Sequence, residues 1–276
     1  MPELPEVETI VRALKNGGRG EASILGKKIK SGEILWQKTL EYPGRSEFEA
    51  AIVDRGVMDV GRRGKFIDID LGESHLLIHL RMSGDLRVEL PPLSEALPHD
   101  RFLLNFKDGS RLAFNDTRKF GRIWLTQSTA TPLKNLGIDP FDEVLTTDLF
   151  FLNLHKKKKQ IKSLLLDQSF IAGLGNIYTD ESLHRAGIHP IRSSNSLTLQ
   201  EAGRLLQAIR ATLNESIERN GASIDWVYRG GEFQNSFRVY QRTGRPCLIC
   251  GTTIERIVVG QRGTHFCPQC QPEGVG

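Results

Sequence analysis

Residues 66–82 read Phe-Ile-Asp-Ile-Asp-Leu-Gly-Glu-Ser-His-Leu-Leu-Ile-His-Leu-Arg-Met. Over Phe66 to Leu71 apolar and acidic residues alternate, so Ile67, Ile69 and Leu71 share one face while Asp68 and Asp70 take the other, the period of a strand with one side in a core. A Gly-containing turn follows, and then a second run from His75 to Met82. The same texture fills the chain from about residue 20 to 130, with further runs at Arg101 to Phe106 and Arg111 to Phe114 separated by Gly and Asp-Gly turns. Short alternating runs joined by such turns predict antiparallel strands in a sandwich or barrel.

On the N-terminal side, Val7, Ile10, Val11 and Leu14 recur at helical spacing, which predicts an amphipathic helix over residues 5–15 with Pro2 at its mouth. On the C-terminal side, Pro132, Gly137 and Pro140 mark a boundary beyond which the pattern turns helical. Thr198 and Glu201 form a Thr-x-x-Glu capping box ahead of a stripe of Ala202, Leu205, Leu206, Ile209, Leu213 and Ile217, and this helix is expected to stop near Gly221. Residues 221–237 are Gly-rich and polar without a period, and read as a long loop. The expected organisation is an α+β multidomain chain without internal repeats: a catalytic β-sandwich domain with its N-terminal helix over residues 1–135, a helical domain over 136–237, and a small cysteine-bearing module over 238–276.

Composition narrows the function classes. The 276 residues suffice for about two domains, and 39% apolar content can build a sizeable core. No window approaches the roughly 18 uncharged apolar residues of a membrane span, and the acidic start MPELPEVETI is unlike a secretory signal, so a cytoplasmic protein without a membrane partner is expected. The formal net charge of +4 is too mild to identify a polyanionic partner. The one basic run, Lys156 to Lys159 followed by Lys162, fits a solvated helix face as well as a phosphate clamp.

All four cysteines lie between residues 247 and 270, as Cys247-x2-Cys250 and Cys267-x2-Cys270. Two such knuckles let four thiolates converge on one structural Zn2+, with the spacer folding as a β-hairpin. Two disulfides or reactive thiols are the alternatives, and both fit a cytosolic chain poorly. His265 could substitute as a ligand, but four cysteines already complete the set. A zinc tetrathiolate carries net negative charge and does not itself attract DNA, so any such binding falls to the hairpin's Arg256 and Arg262. Gly260 and Gly263 flank Arg262 and suggest that it sits on a tight tip.

Six blocks, MPELPEVET, Arg62-Arg-Gly-Lys65, His79-Leu-Arg-Met-Ser-Gly84, Asp116-Thr-Arg-Lys-Phe-Gly121, Gly173-Leu-Gly-Asn-Ile-Tyr-Thr-Asp-Glu181 and Gly263-Thr-His-Phe-Cys-Pro-Gln-Cys270, together resemble bacterial formamidopyrimidine-DNA glycosylases from end to end. The resemblance implies a β-sandwich with an N-terminal helix, a helix-two-turn-helix domain and a zinc finger. It also implies a monomeric base-excision-repair enzyme acting on double-stranded DNA that contains oxidised purines, with Pro2 as the Schiff-base nucleophile and Glu3 as the acid/base that opens the deoxyribose. By the same resemblance Lys65 and Arg262 donate protons in β- and δ-elimination, and Met82, Arg118 and Phe120 fill the gap left by an extruded nucleotide. Phosphate contacts fall to His99, Arg118, Lys158 and Asn176, with a neighbouring lysine of the run able to replace Lys158. Glu6 is either a partner near the amine or a charge at the helix N-terminus. The stretch from Ser223 to Ser236 stands where the family has its lesion-capping loop, but Asp225-Trp-Val-Tyr-Arg-Gly-Gly is an unusual sequence for it.

The chemistry of Pro2 can be argued without the resemblance. An α-amino group has a reference pKa of about 7.7 to 8.0, against about 10.4 for lysine, so part of it is nucleophilic near neutral pH. A secondary amine attacking C1′ gives an iminium with no N–H proton to lose, and that electron sink acidifies C2′. An endonuclease VIII-like enzyme acting on oxidised pyrimidines is the nearest alternative, although its N-terminus would more typically read Pro-Glu-Gly-Pro-Glu. A catalytically silent zinc-finger protein that binds damaged DNA or RNA is a more distant one, disfavoured by the joint presence of Pro2, Glu3 and Lys65.

Overall fold

The computed structural model describes residues 2–18, 22–223 and 230–273, which form two compact units. The first comprises Met1–Lys134 with Asn220–Gly231, the second Asn135–Arg219 with Glu232–Gly276.

The first unit opens with α1 (Leu4–Asn16), whose Val7, Ile10, Val11 and Leu14 are buried as the spacing predicts, with Leu4 buried beside them. Then come β1 (Ile29–Ile34), β2 (Leu40–Tyr42), α2 (Arg45–Ala51), β3 (Asp59–Arg63), β4 (Phe66–Asp70), β5 (His75–His79), β6 (Gly84–Glu89), β7 (Asp100–Phe106), β8 (Arg111–Asp116), β9 (Arg122–Thr126) and the single turn α3 (Ala130–Leu133). The strands form a four-stranded sheet, β1-β7-β8-β6, and a five-stranded sheet, β2-β9-β5-β4-β3. Inward residues of both sheets, Phe102, Leu104 and Phe114 from one and Ile67, Ile69, Leu76, Ile78 and Ile123 from the other, share one apolar cluster with α1, so the sandwich reading holds. Each large apolar side chain withdrawn from water there contributes roughly 1.5–3 kcal/mol.

Two features depart from the alternating pattern. Strand β2 runs parallel to β9, whereas the other named strand pairs are antiparallel. Helix α2 interrupts the strand region to seat the fully buried Phe48 edge-on against Phe102 at 5.8 Å.

The second unit is helical: α4 (Thr147–His155), α5 (Ile161–Leu165), α6 (Asn176–Ala186) and α7 (Leu199–Glu218), followed by the hairpin β10 (Glu255–Val259) and β11 (Arg262–Phe266). Thr198 and Glu201 cap α7 reciprocally, Thr198 Oγ1 accepting the Glu201 N–H at 3.2 Å and the Glu201 carboxylate accepting the Thr198 N–H at 2.8 Å. The stripe on α7 is buried from Ala202 to Ile217, and Tyr178 of α6 bonds Ser216 of α7 through their hydroxyls at 2.7 Å.

Lys162 departs from the surface role its neighbours suggest. It lies fully buried on α5, its Nζ 2.6 Å from Asp180 of α6 and 3.1 Å from the carbonyl of Gly263 on β11. The other Asp180 oxygen accepts the His265 N–H at 2.9 Å. One buried ion pair thus ties two helices to the hairpin. Breaking it from one side strands a charge, so Lys162→Met is expected to lower unfolding stability by about 3–5 kcal/mol in urea titration, and adding Asp180→Leu to recover part of that. A loss below about 1 kcal/mol for Lys162→Met would show that the pair is not structural.

Candidate active site, wedge loops and zinc module

A nucleophile at residue 2 has no side-chain rotamers to aim it, so its position follows from α1. Pro2 and Glu3 are buried, and Glu3 occupies the N-cap. The Glu6 carboxylate accepts the Glu3 N–H at 2.8 Å and, with its other oxygen, the Ala222 N–H at 2.8 Å. The helix-N-terminus role open for Glu6 is filled by this capping box, and the same side chain binds the start of α1 to the base of the 221–231 segment. Gly221 is required there: its φ is +81°, and a Cβ would lie 2.8 Å from Glu6 Oε1. Ser223 Oγ accepts the Gly231 N–H at 2.8 Å, so the two ends of the loop are drawn together beside α1. The aromatic stretch at 225–229 lies outside the described residues.

Lys65 stands on a turn of the sheet that is likewise tied to α1. It sits in the two-residue turn between β3 and β4 and is 6% exposed. Arg62 of β3 holds that turn against α1, its Nε donating to Glu8 at 3.0 Å and its Nη1 to the Gly64 carbonyl at 3.1 Å. Phe66, next in the chain, pairs in register with His79 of β5, their rings edge-on at 4.6 Å. Burial, reinforced by the positive charges of Arg81 and Lys65, pushes His79 down to about 3, so the ring is neutral at working pH. Its Nδ1 can then accept the Arg81 N–H at 3.0 Å, which fixes Arg81 in a left-handed conformation (φ 55°) just before Met82.

Met82 and the Arg118–Phe120 stretch lie on adjacent loops, β5–β6 and β8–β9, joined by the buried Asp116. That carboxylate accepts from Ser83 Oγ, from the Arg118 N–H at 3.2 Å and from the Gly121 N–H at 2.7 Å. Gly84 is needed for the same close approach, since a Cβ would lie 2.7 Å from the Phe114 ring and 2.6 Å from the Leu80 carbonyl. Outside this anchor, Met82 is half-buried and Phe120 is 46% exposed, with the Arg118 guanidinium 5.0 Å from the Phe120 ring centroid. An apolar ring so exposed on a pinned loop has the form of a wedge. His99 is exposed at φ 77°, and its carbonyl accepts the Asp116 N–H at 2.9 Å. His79, Ser83 and Asp116 were not singled out from the sequence: Ser83 and Asp116 meet across 33 positions, and His79 owes its neutral state to burial that no local pattern shows.

In the second unit, Lys157 to Lys159 occupy the connection between α4 and α5 rather than a helix face, and Lys158 is exposed. Asn176 begins α6, which has no side-chain cap and so offers the positive end of its dipole. Its Nδ2 donates to the Gly263 carbonyl at 3.0 Å. The hairpin tip is Gly260–Gln261, both at positive φ (55° and 60°), so Arg262 does not form the tip. It opens β11 opposite Val259 and is exposed there.

The four cysteine sulfurs lie within 4.8 Å of one another, with Cys250 Sγ 3.5 Å from Cys267 Sγ and 3.5 Å from Cys270 Sγ, and Cys247 Sγ 3.8 Å from Cys270 Sγ. These separations are far from the roughly 2.05 Å of a disulfide and close to the roughly 3.8 Å edge of a tetrahedron with Zn–S of about 2.3 Å. The thiols therefore fit one structural zinc, which supplies a cross-link between the two knuckles. Backbone N–H groups of Ile249 and Cys270 point at Cys247 and Cys267 sulfurs, each at 3.4 Å, as anionic ligands require. His265 turns away to Asp180 at 3.2 Å.

Three family models match in order: the formamidopyrimidine-DNA glycosylase N-terminal domain over residues 1–123, the formamidopyrimidine-DNA glycosylase H2TH domain over 136–227, and the zinc finger found in FPG and IleRS over 244–272. A formamidopyrimidine-DNA glycosylase of Pelotomaculum thermopropionicum is 43% identical, covering 98% of this chain and 99% of its own. Among solved structures, MutM in complex with DNA containing carbocyclic 8-oxo-G aligns with a TM-score of 0.89 at 36% identity, over 99% of this chain and 100% of the other. Wild-type Lactococcus lactis FPG with DNA containing an oxidised pyrimidine aligns equally well, with the same identity and coverage. No described helix is long and apolar enough to cross a membrane. With all three modules matched in order and a relative aligned end to end, the chain belongs to the formamidopyrimidine-DNA glycosylase family.

Proposed function

We propose that this chain excises oxidised purines from double-stranded DNA and cuts the strand by β,δ-elimination, with the nitrogen of Pro2, exposed by removal of Met1, as nucleophile. The observation that carries the reading is that one unit holds a buried Pro2–Glu3 pair at the mouth of α1 and a buried Lys65 on a turn that Arg62 ties to Glu8 of the same helix. Attack of the Pro2 nitrogen on C1′ expels the base with its bonding electrons, while Glu3 delivers a proton as the sugar ring opens. The resulting iminium draws electrons from the C2′–H bond, so that losing this proton expels the 3′ phosphate; a second elimination releases the 5′ phosphate. Lys65 serves as proton donor in the first elimination and Arg262 in the second. Cys247, Cys250, Cys267 and Cys270 hold the zinc that stiffens the hairpin bearing Arg262.

A base inside the duplex is out of reach, and extruding its nucleotide costs a few kcal/mol of stacking and pairing. Met82, Arg118 and Phe120 fill the vacated space, and His99, Arg118, Lys158 and Asn176 hold phosphates. The three-domain division at 1–135, 136–237 and 238–276 belongs to the same proposal and runs close to the family-model boundaries. So does a monomer working in the cytoplasm, where the DNA of a bacterial cell lies. A second reading, excision of oxidised pyrimidines, draws support from the Lactococcus lactis complex.

Single-turnover assays on duplexes containing 8-oxoguanine or thymine glycol test both readings. The wild type is expected to cut the 8-oxoguanine duplex faster, and Pro2→Gly or retention of Met1 to slow excision by about 10³-fold or more. Faster cutting of thymine glycol would favour the second reading, and undiminished excision by Pro2→Gly would overturn the mechanism. Cys247→Ser is expected to bring zinc below one ion per chain by mass spectrometry and to weaken duplex binding on the order of tenfold; full zinc occupancy with unchanged binding would refute the structural role of the tetrathiolate site.

A further inference from the structure

The β8–β9 loop is pinned on both sides, yet its central residue has a partner that the mechanism leaves unexplained. On the inner side Asp116 takes the N–H groups of Arg118 and Gly121. On the outer side the Arg122 Nη1 donates to the carbonyls of Lys119 at 3.2 Å and Gly121 at 2.9 Å, while its Nε is held by Glu41 at 2.7 Å. Between these anchors Lys119 adopts φ 62°, a left-handed conformation that a residue with a Cβ enters only when something offsets the strain. Its ammonium lies 4.0 Å from the centroid of the Trp36 ring. Among the described residues no carboxylate pairs with Lys119, so the indole face is the contact that holds its side chain.

Trp36 is suited to this and to little else. Its Nε1 is buried and meets no acceptor among the described residues, so hydrogen bonding does not explain where the ring lies. Its backbone N–H donates to the Arg101 carbonyl at 3.1 Å, and the Arg101 side chain donates to the Asp116 carbonyl at 2.8 Å. Trp36 is therefore tied to β7 through its backbone, and through Arg101 to the end of β8, which carries the inner anchor of the loop. A cation over an aromatic face is attracted by the ring quadrupole, most strongly for Trp.

We propose that Trp36 is a positioning residue for the wedge: by holding Lys119 over its ring it keeps the 117–121 turn in the conformation that presents Arg118 and Phe120, so that less order has to be gained when the loop enters a duplex. This rests on the glycosylase reading above, which assigns that loop to the space left by an extruded nucleotide.

A double-mutant cycle tests it, with binding to a duplex bearing a tetrahydrofuran abasic analogue and to the undamaged duplex both read by fluorescence anisotropy. Trp36→Leu and Lys119→Met are each expected to weaken abasic-duplex binding by about two- to fivefold, and the double variant to bind no more weakly than the worse single one. Trp36→Phe, which keeps a ring under Lys119, is expected to restore most of the loss, whereas a merely structural role would follow the thermal midpoint of each variant instead. Multiplying effects, or an unchanged affinity for Trp36→Leu, would overturn the proposal. Should Trp36→Leu fail to fold, the cycle is run with Trp36→Met, which likewise removes the ring, and additivity there is equally fatal. If the wild type does not prefer the abasic duplex at all, the glycosylase reading fails instead.

Discussion

The docking of α1 is the constraint on which the chemistry depends. A backbone nitrogen cannot be re-aimed by a rotamer change, so its position is set by where the following helix packs. Val7, Ile10, Val11 and Leu14 bury that helix in the sandwich core, and the Glu8–Arg62 pair fixes its first turns to β3. The same Arg62 holds the turn that carries Lys65, so the proposed nucleophile and the proposed proton donor are both positioned through α1 and β3. Glu6 extends this arrangement to the base of the 221–231 segment, which gives the loop expected over a lesion a direct link to the helix that follows the proposed nucleophile.

Buried carboxylates that collect backbone N–H groups recur wherever an irregular segment has to hold a shape. Asp116 does this for the wedge loop. In the second unit Glu181 accepts the N–H groups of Arg238, Val239 and Tyr240 at 2.8–3.1 Å, fixing the chain that leads into the zinc module. Burial pushes the Glu181 carboxyl up while those three donors pull it down, so the site depends on keeping its donors aligned. Asp180 beside it joins Lys162 and His265. The hairpin with Arg262 is thereby secured from both ends, by thiolates at its base and by a buried ion pair near its tip.

Much of this was legible in the sequence because it is written in local periods. The α1 spacing, the alternating strands, the Thr198 cap with its stripe and the two cysteine knuckles are each spelled out by residue types recurring at a fixed local spacing. What was not legible depends on partners that only folding brings together. The lysine run reads as one surface feature, but Lys162 is drawn inside by Asp180, eighteen residues on. Helix α2 has only Phe48 buried, too little to show a period. The glycines flanking Arg262 suggest a place at the tip, whereas the turn uses Gly260 and Gln261. The parallel pairing of β2 with β9 is set by a crossover that no local pattern encodes.

Sodium borohydride reduction of the enzyme during turnover of an 8-oxoguanine duplex, followed by proteolysis and mass spectrometry of the cross-linked peptide, examines the central claim most directly. The account predicts the deoxyribose remnant on the N-terminal peptide, at the nitrogen of Pro2. A remnant found instead on the peptide containing Lys65, with Pro2 unmodified, would contradict it.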